Sequence, residues 1–209
     1  DHLTRENETG APSEELLVQR FLFGTTHGRL AHAARLRKRV YWGSNSSFTV
    51  PTGNFGDIFA GFIARQMGLP IERLVIATNL NDILHRTLET GIQKKEGVTP
   101  SISPSMDIQV ASNFERFIYF NVGRDAARVR EVMQTFKTTG AYTFPDFKRA
   151  TFSASRTSDA EIASLITRVY REHGYIVDPH TACGFKELNP DRVSIVLSTA
   201  SPAKFPDTI

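Results

Sequence analysis

Cysteine is nearly absent from this chain of 209 residues, which carries Cys183 alone. A single thiol excludes an intramolecular disulfide framework and fits a reducing compartment. Beside Gly184, Cys183 reads as a small buried residue and not a nucleophile. Neither sign of charge dominates: 25 Lys and Arg stand against 22 Asp and Glu, and a net of +3 makes no case for nucleic acid. No apolar run approaches the ~20 residues that a bilayer-spanning helix needs. The first residues, Asp1-His-Leu-Thr-Arg-Glu-Asn-Glu8, lack the basic-then-apolar order of a secretory leader. Histidine, cysteine and carboxylates never fall at metal-ligand spacing, so no metal is expected. Neither a P-loop ending in Gly-Lys-Ser/Thr nor the dinucleotide pattern Gly-x-Gly-x-x-Gly occurs, which removes support for ATP or NAD. A soluble, cytoplasmic protein is expected. Its 40% apolar residues suffice for one substantial core.

What is present begins at Phe48-Thr-Val-Pro-Thr-Gly-Asn-Phe-Gly-Asp57, which runs straight into Ile58-Phe-Ala-Gly-Phe-Ile-Ala-Arg-Gln-Met67. An apolar strand end meets a turn with Gly53 and Gly56, and the turn opens on an amphipathic helix. Amides freed by such a turn, with the unpaired donors of the helix start, favour an anion at one spot. Glycine lets the backbone approach that anion, or supplies a φ > 0 that the turn needs. Asn54 and Asp57 are short polar groups able to cap the helix. Two readings of the spacing stand side by side: a cradle for a phosphate group, and a strand-to-helix turn that needs glycine for geometry alone.

Strand and helix signals alternate along residues 48–209. Ser47–Val50 and Arg73–Thr78 read as strands flanking a helix over Asp57–Met67, with Ile58, Phe59, Phe62, Ile63 and Met67 on its buried face. Helices are expected over Asn81–Thr90, Ser112–Phe120 and Asp125–Lys137, the last burying Ala126, Val129, Val132, Met133 and Phe136. A less regular segment spans Gly140–Ser155. Ser158 and Glu161 form a capping box for a helix that turns Ile162, Leu165, Ile166, Val169 and Tyr170 inward and stops at Gly174. Tyr175–Val177 and Val193–Leu197 are further strand candidates. The fold class is α/β, a parallel sheet with helices on both faces.

Residues 1–47 fall outside this pattern. Arg20 to Trp42 holds six basic residues and no acidic one. Glu14–Phe23 and Leu30–Arg39 are short helix candidates. Tyr41 and Trp42 beside Arg35–Arg39 suggest nucleic acid only faintly, without any base-reading motif, and a solvated basic segment is preferred. No nucleic-acid or membrane partner is expected.

The decapeptide 48–57 resembles the phosphate-binding loop of threonine synthase, a pyridoxal-phosphate enzyme of the tryptophan-synthase β type (fold type II). Four further blocks agree in order: Ile76-Ala-Thr-Asn-Leu-Asn-Asp-Ile-Leu84; Ser103-Pro-Ser-Met-Asp-Ile-Gln-Val110 with Ser112-Asn-Phe-Glu-Arg116; Val177-Asp-Pro-His-Thr-Ala182; and Leu197-Ser-Thr-Ala-Ser-Pro-Ala-Lys-Phe205. The resemblance covers residues 48–209, expected as the C-terminal portion of such a domain, and leaves 1–47 unmatched.

The resemblance implies pyridoxal 5'-phosphate as cofactor. Its phosphate would be held by Gly53, Asn54, Phe55 and Gly56 through backbone N–H groups, with Asp57 capping the helix start. Thr199 would set its hydroxyl against the pyridine nitrogen; the competing reading is a hydroxyl satisfied by local backbone. Asn79 and Asn81 either line the substrate pocket or cap the next helix. His180 is a proton carrier or a hydrogen-bonded structural residue, and Ser103, Ser105 and Asp107 carry no single role. Ser201 stands where the family usually has histidine.

The reaction implied converts O-phospho-L-homoserine and water to L-threonine and phosphate. The family anchors its cofactor on a Schiff-base lysine within Phe-Lys-Asp. That motif is absent among Lys38, Lys94, Lys95, Lys137, Lys148, Lys186 and Lys204. Phe147-Lys148-Arg149 and Phe185-Lys186-Glu187 lie downstream of where the family places it. A fragment without its catalytic lysine is therefore expected, with catalytic residues and oligomeric state unassigned. The alternative is a non-catalytic module that binds a phospho-ligand or a partner.

Overall fold

The computed structural model describes residues 17–20, 46–188 and 193–209. Seven strands are described: β1 Leu17–Arg20, β2 Ser46–Pro51, β3 Ile71–Thr78, β4 Ile92–Lys94, β5 Ala141–Thr143, β6 Phe152–Arg156 and β7 Val193–Ser198. The helices are α1 Gly56–Gln66, α2 Ile83–Thr90, α3 Phe114–Asn121, α4 Ala126–Thr139, α5 Asp159–His173 and the single turn α6 Pro179–Ala182. The main sheet runs β1-β7-β2-β3-β6, and every pair in it is parallel. β4 and β5 form a small antiparallel ribbon beside it.

Alternation along the central strands explains both helix layers. Phe48, Val50, Leu74, Ile76, Ile195 and Leu197 point to one face, where they pack with Ile58, Phe59 and Phe62 of α1 and with apolar residues of α2, α3 and α4. Ala77 and Val196 point to the other, against Ile162, Leu165, Ile166 and Val169 of α5 and Ala182, Cys183 and Phe185 beyond it. Side chains of successive strand residues face opposite ways, so a strand buried on both sides reads as an unbroken apolar run. β3 and β7 do so. The capping box forms as expected: Ser158 Oγ accepts from the Glu161 amide, while Glu161 takes the Ser158 amide at 2.7 Å. Gly174 ends α5 in the left-handed conformation.

Several expectations are corrected. Tyr175–Val177 is not a strand; Tyr175 and Ile176 are exposed, and only Val177 is buried. Asp178 and Pro179 commit the chain there to the start of α6, Asp178 as N-cap and proline with its φ already set for a first turn. The segment 140–155 contains β5 and most of β6. Among the described residues β6 pairs only with β3, at the sheet edge, and its Phe-Ser-Ala-Ser-Arg sequence carries little apolar signal. Leu17–Arg20, inside a stretch expected to be helical, extends the sheet by pairing with β7. The basic helix candidate 30–39 lies outside the described residues. Met67, Tyr170 and Ala126 face outward, because Met67 lies past the last turn of α1, Tyr170 sits at the rim of α5 and Ala126 opens α4.

Candidate functional site at the strand ends

Parallel strands bring their C-terminal ends to one edge, and in open α/β sheets ligands collect there. The register places the relevant residues in a row. Thr49 of β2 is level with Val196 of β7, so Thr52 and Thr199, each three residues on, end neighbouring strands at the same height. On the other side the Thr52 amide donates to Ala77 O at 2.8 Å, and the Thr157 amide donates to Thr78 O at 2.9 Å. Gly53 to Gly56 rise from the middle of this row, one strand away from Thr199.

Phe55 builds the loop. It is the N-cap of α1 and holds φ 69°, ψ 8°, a left-handed conformation in a residue that carries a bulky side chain. Such a conformation costs about 1–2 kcal/mol outside glycine. Packing offsets it: the ring is 1% exposed and lies edge-on to Phe114 at 5.0 Å, with Phe117 at 5.9 Å and Phe152 at 5.6 Å. The side chain is driven into the core while the backbone turns sharply above it. A left-handed residue followed by a right-handed one gathers successive amides into an anion-binding concavity. Phe55 and the helical Gly56 form such a pair.

Neighbouring contacts fix the loop further. The Asn54 carbonyl accepts from both the amide and the Nδ2 of Asn113, at 2.9 and 3.1 Å, which ties it to the start of α3. Asn54 Oδ1 accepts from the Gly56 amide at 2.9 Å. Among the described residues, no hydrogen bond uses the amides of Gly53, Asn54, Phe55 or Ile58. Gly53 earns its place by close approach and not by a positive φ. A Cβ there would lie 3.0 Å from Ser105 O and 3.4 Å from Met106 Cα. Asp57 sits in the first turn, where its charge suits the helix dipole; the first amide is taken by Asn54 and not by Asp57.

Other residues singled out by sequence turn inward. Asn79 donates to Ser101 Oγ at 2.8 Å, Ser103 Oγ at 3.0 Å and Asp107 Oδ1 at 2.7 Å, and its own Oδ1 receives the Asn81 amide. Asn81 donates to Thr99 O and to Asp107 Oδ1, both at 2.8 Å. These residues clamp the connection 99–107 over the end of β3. Neither asparagine caps α2, whose N-cap is Asp82, paired with Arg86 and Arg156. His180 is 3% exposed; its Nε2 accepts from the Ser105 amide at 3.1 Å, so Nδ1 carries the proton and meets Asp178 Oδ1 at 2.8 Å. It is a structural tie between 105 and 178. Burial, with Asp178 adding to it, pushes the Cys183 thiol up to about 12, so it is no nucleophile. Ser201 begins the turn Pro202–Lys204 without a side-chain cap.

Thr199 is half-buried, and its hydroxyl bonds to no described residue, contrary to the local-backbone reading. Its amide donates to Thr181 Oγ1 at 3.3 Å. Sequence reasoning missed Asn113 and Thr181 as supports. Only the Asp-Pro start of α6 hinted at the second. No group of three or more potential metal ligands occurs among the described residues, and no described helix is long and apolar enough to cross a membrane.

No protein-family profile matches the chain. It is 44% identical over 172 residues to threonine synthase from Pseudomonas aeruginosa, covering 78% of this chain and 37% of that protein. Threonine synthase from Corynebacterium glutamicum is 46% identical over 178 residues, with the same two shares. The solved structure of pyridoxal-phosphate-bound threonine synthase from Brucella melitensis superposes with a TM-score of 0.82 at 46% identity, covering 88% of this chain and 41% of that one. The chain thus spans about two fifths of the length of the relatives it matches.

Proposed function

The chain is a threonine synthase homologue over 78% of its length, and from that premise we propose that residues 53–56 hold the phosphate of pyridoxal 5'-phosphate and that Thr199 meets its ring nitrogen. The observation that carries this reading is the loop at Phe55, where the gathered amides of Gly53, Asn54 and Phe55 donate to no described residue, one strand from an unused hydroxyl. The residues fit the group. Amides satisfy a phosphate without adding a lysine or arginine, and α1 presents its positive end to it. A hydroxyl can hydrogen-bond an unprotonated pyridine nitrogen, whereas a carboxylate would favour the pyridinium. When bound, the cofactor supplies an electron sink for carbanion chemistry.

The residues themselves bind and orient. The Phe55 anchor and the Asn113 tie hold the amides in place before any ligand arrives, so little order is lost on binding. The clamp from Asn79, Asn81 and Asp107 fixes the segment that Gly53 touches, which keeps the loop from drifting off the strand ends. Within the whole family protein, this cup would serve the conversion of O-phospho-L-homoserine and water to L-threonine and phosphate. Residues 48–209 would form its cofactor-bearing C-terminal portion, and the lone thiol suits a cytoplasmic setting.

Titration with pyridoxal phosphate tests the reading, alongside phosphate release from O-phospho-L-homoserine. Saturable binding that inorganic phosphate displaces, and that Gly53→Ala weakens, is the expected result. Binding that ignores both inorganic phosphate and Gly53→Ala would overturn it.

A further inference from the structure

We infer that Thr181, backed by Asp178, is the positioning residue that sets Thr199 against the cofactor ring; this rests on the proposed contact between Thr199 and the ring nitrogen. β7 ends at Ser198, and among the described residues no ladder pairing holds the next one. Its amide is held instead by Thr181 Oγ1 at 3.3 Å. A hydroxyl has one proton to give, and Thr181 gives it to Asp178 Oδ2. With that proton committed, the oxygen can only accept from Thr199, and the hydroxyl cannot rotate to offer a donor.

Asp178 is itself fixed. Its Oδ1 accepts from the His180 amide at 2.9 Å, the Thr181 amide at 3.3 Å and His180 Nδ1 at 2.8 Å. Asp178 and Thr181 are both fully buried. The turn that directly follows them, Cys183–Phe185, lies hard against β7: a Cβ on Gly184 would stand 2.5 Å from Val196 Cγ1. Glycine at 184 thus allows the approach, and the carboxylate–hydroxyl–amide chain fixes the backbone at the point where β7 lets it go. A shift of that backbone would swing the Thr199 hydroxyl away while leaving the phosphate cup on β2 untouched.

The test compares dissociation constants of the wild type, Thr181→Val, Thr181→Ser and Thr199→Val for three probes. These are pyridoxal phosphate, the same molecule with benzene in place of pyridine, and inorganic phosphate. The wild type should prefer the pyridine compound by about 3–10-fold, the span of one net hydrogen bond. Thr181→Val should erase that preference and leave inorganic phosphate affinity unchanged, whereas Thr181→Ser should keep it. A Thr181→Val protein that retains the preference overturns the inference, as does one that loses inorganic phosphate affinity in parallel. If Thr199→Val keeps the preference, the contact at Thr199 fails, and the inference with it. Should the valine variant not fold, Thr181→Cys, whose sulfur is a weak acceptor, carries the same comparison.

Discussion

Replacing Phe55 separates the two things that this residue does. Phe55→Ala removes a ring that is 1% exposed and packed on Phe114, Phe117 and Phe152. Emptying such a site typically costs about 3–5 kcal/mol. Alanine still has a Cβ, so the left-handed cost at φ 69° stays. Phe55→Gly loses the same ring but recovers about 1–2 kcal/mol of that cost. Against this, glycine adds about 0.4–1 kcal/mol of freedom to the unfolded chain. The glycine variant should therefore match the alanine variant or exceed it by about 1 kcal/mol, where an ordinary core site would favour alanine. Urea unfolding of both proteins reads the difference directly. A glycine variant less stable than alanine by about 1 kcal/mol would mean that residue 55 is not left-handed, and the account of the loop would fall.

Gly53→Ala should push Ser105 and Met106 off the loop and cost about 1–3 kcal/mol, seen by urea unfolding together with weaker inorganic phosphate binding. Cys183 should resist a thiol reagent at pH 8 while the protein is folded, since its pKa is pushed up to about 12, and react stoichiometrically once urea unfolds it. Hydrogen bonds from Lys186 and from the Ser158 amide and hydroxyl lower Glu161 from 4.5 to about 2. Because the folded value is the lower one, its contribution is fully present above pH 4.5 and fades as the pH falls through 2. The stability gap between wild type and Glu161→Gln should narrow over that window in acid unfolding curves. Ser158→Ala should cost about 1 kcal/mol in thermal or urea unfolding, as the loss of one N-cap.

Much of this architecture is legible in the sequence because its signals are local. The apolar runs of β3 and β7 announce strands buried on both faces, and Ser158 with Glu161 announces the start of α5. Edge strand β6 is hidden because a strand with one neighbour needs fewer apolar residues, and Phe152 and Ala154 alone carry its apolar signal. Tyr175–Val177 misleads for the converse reason: three apolar residues look like a strand, but Asp178-Pro179 already directs a turn. At the site, glycine spacing marks the loop and not its mechanism. The left-handed residue is Phe55, and what permits it there is a cluster of rings from α3 and β6, more than fifty residues downstream. Thr181 and Thr199 lie eighteen residues apart, and only the pairing of α6 with the end of β7 joins them. Long-range contacts of this kind leave no periodic trace.

A crystal structure of the protein with pyridoxal phosphate bound tests the central claim most directly. The account predicts the phosphate on the amides of the 53–56 loop and the ring nitrogen within hydrogen-bond reach of the Thr199 hydroxyl. A phosphate seated elsewhere, or a ring nitrogen that faces no hydroxyl, would contradict it.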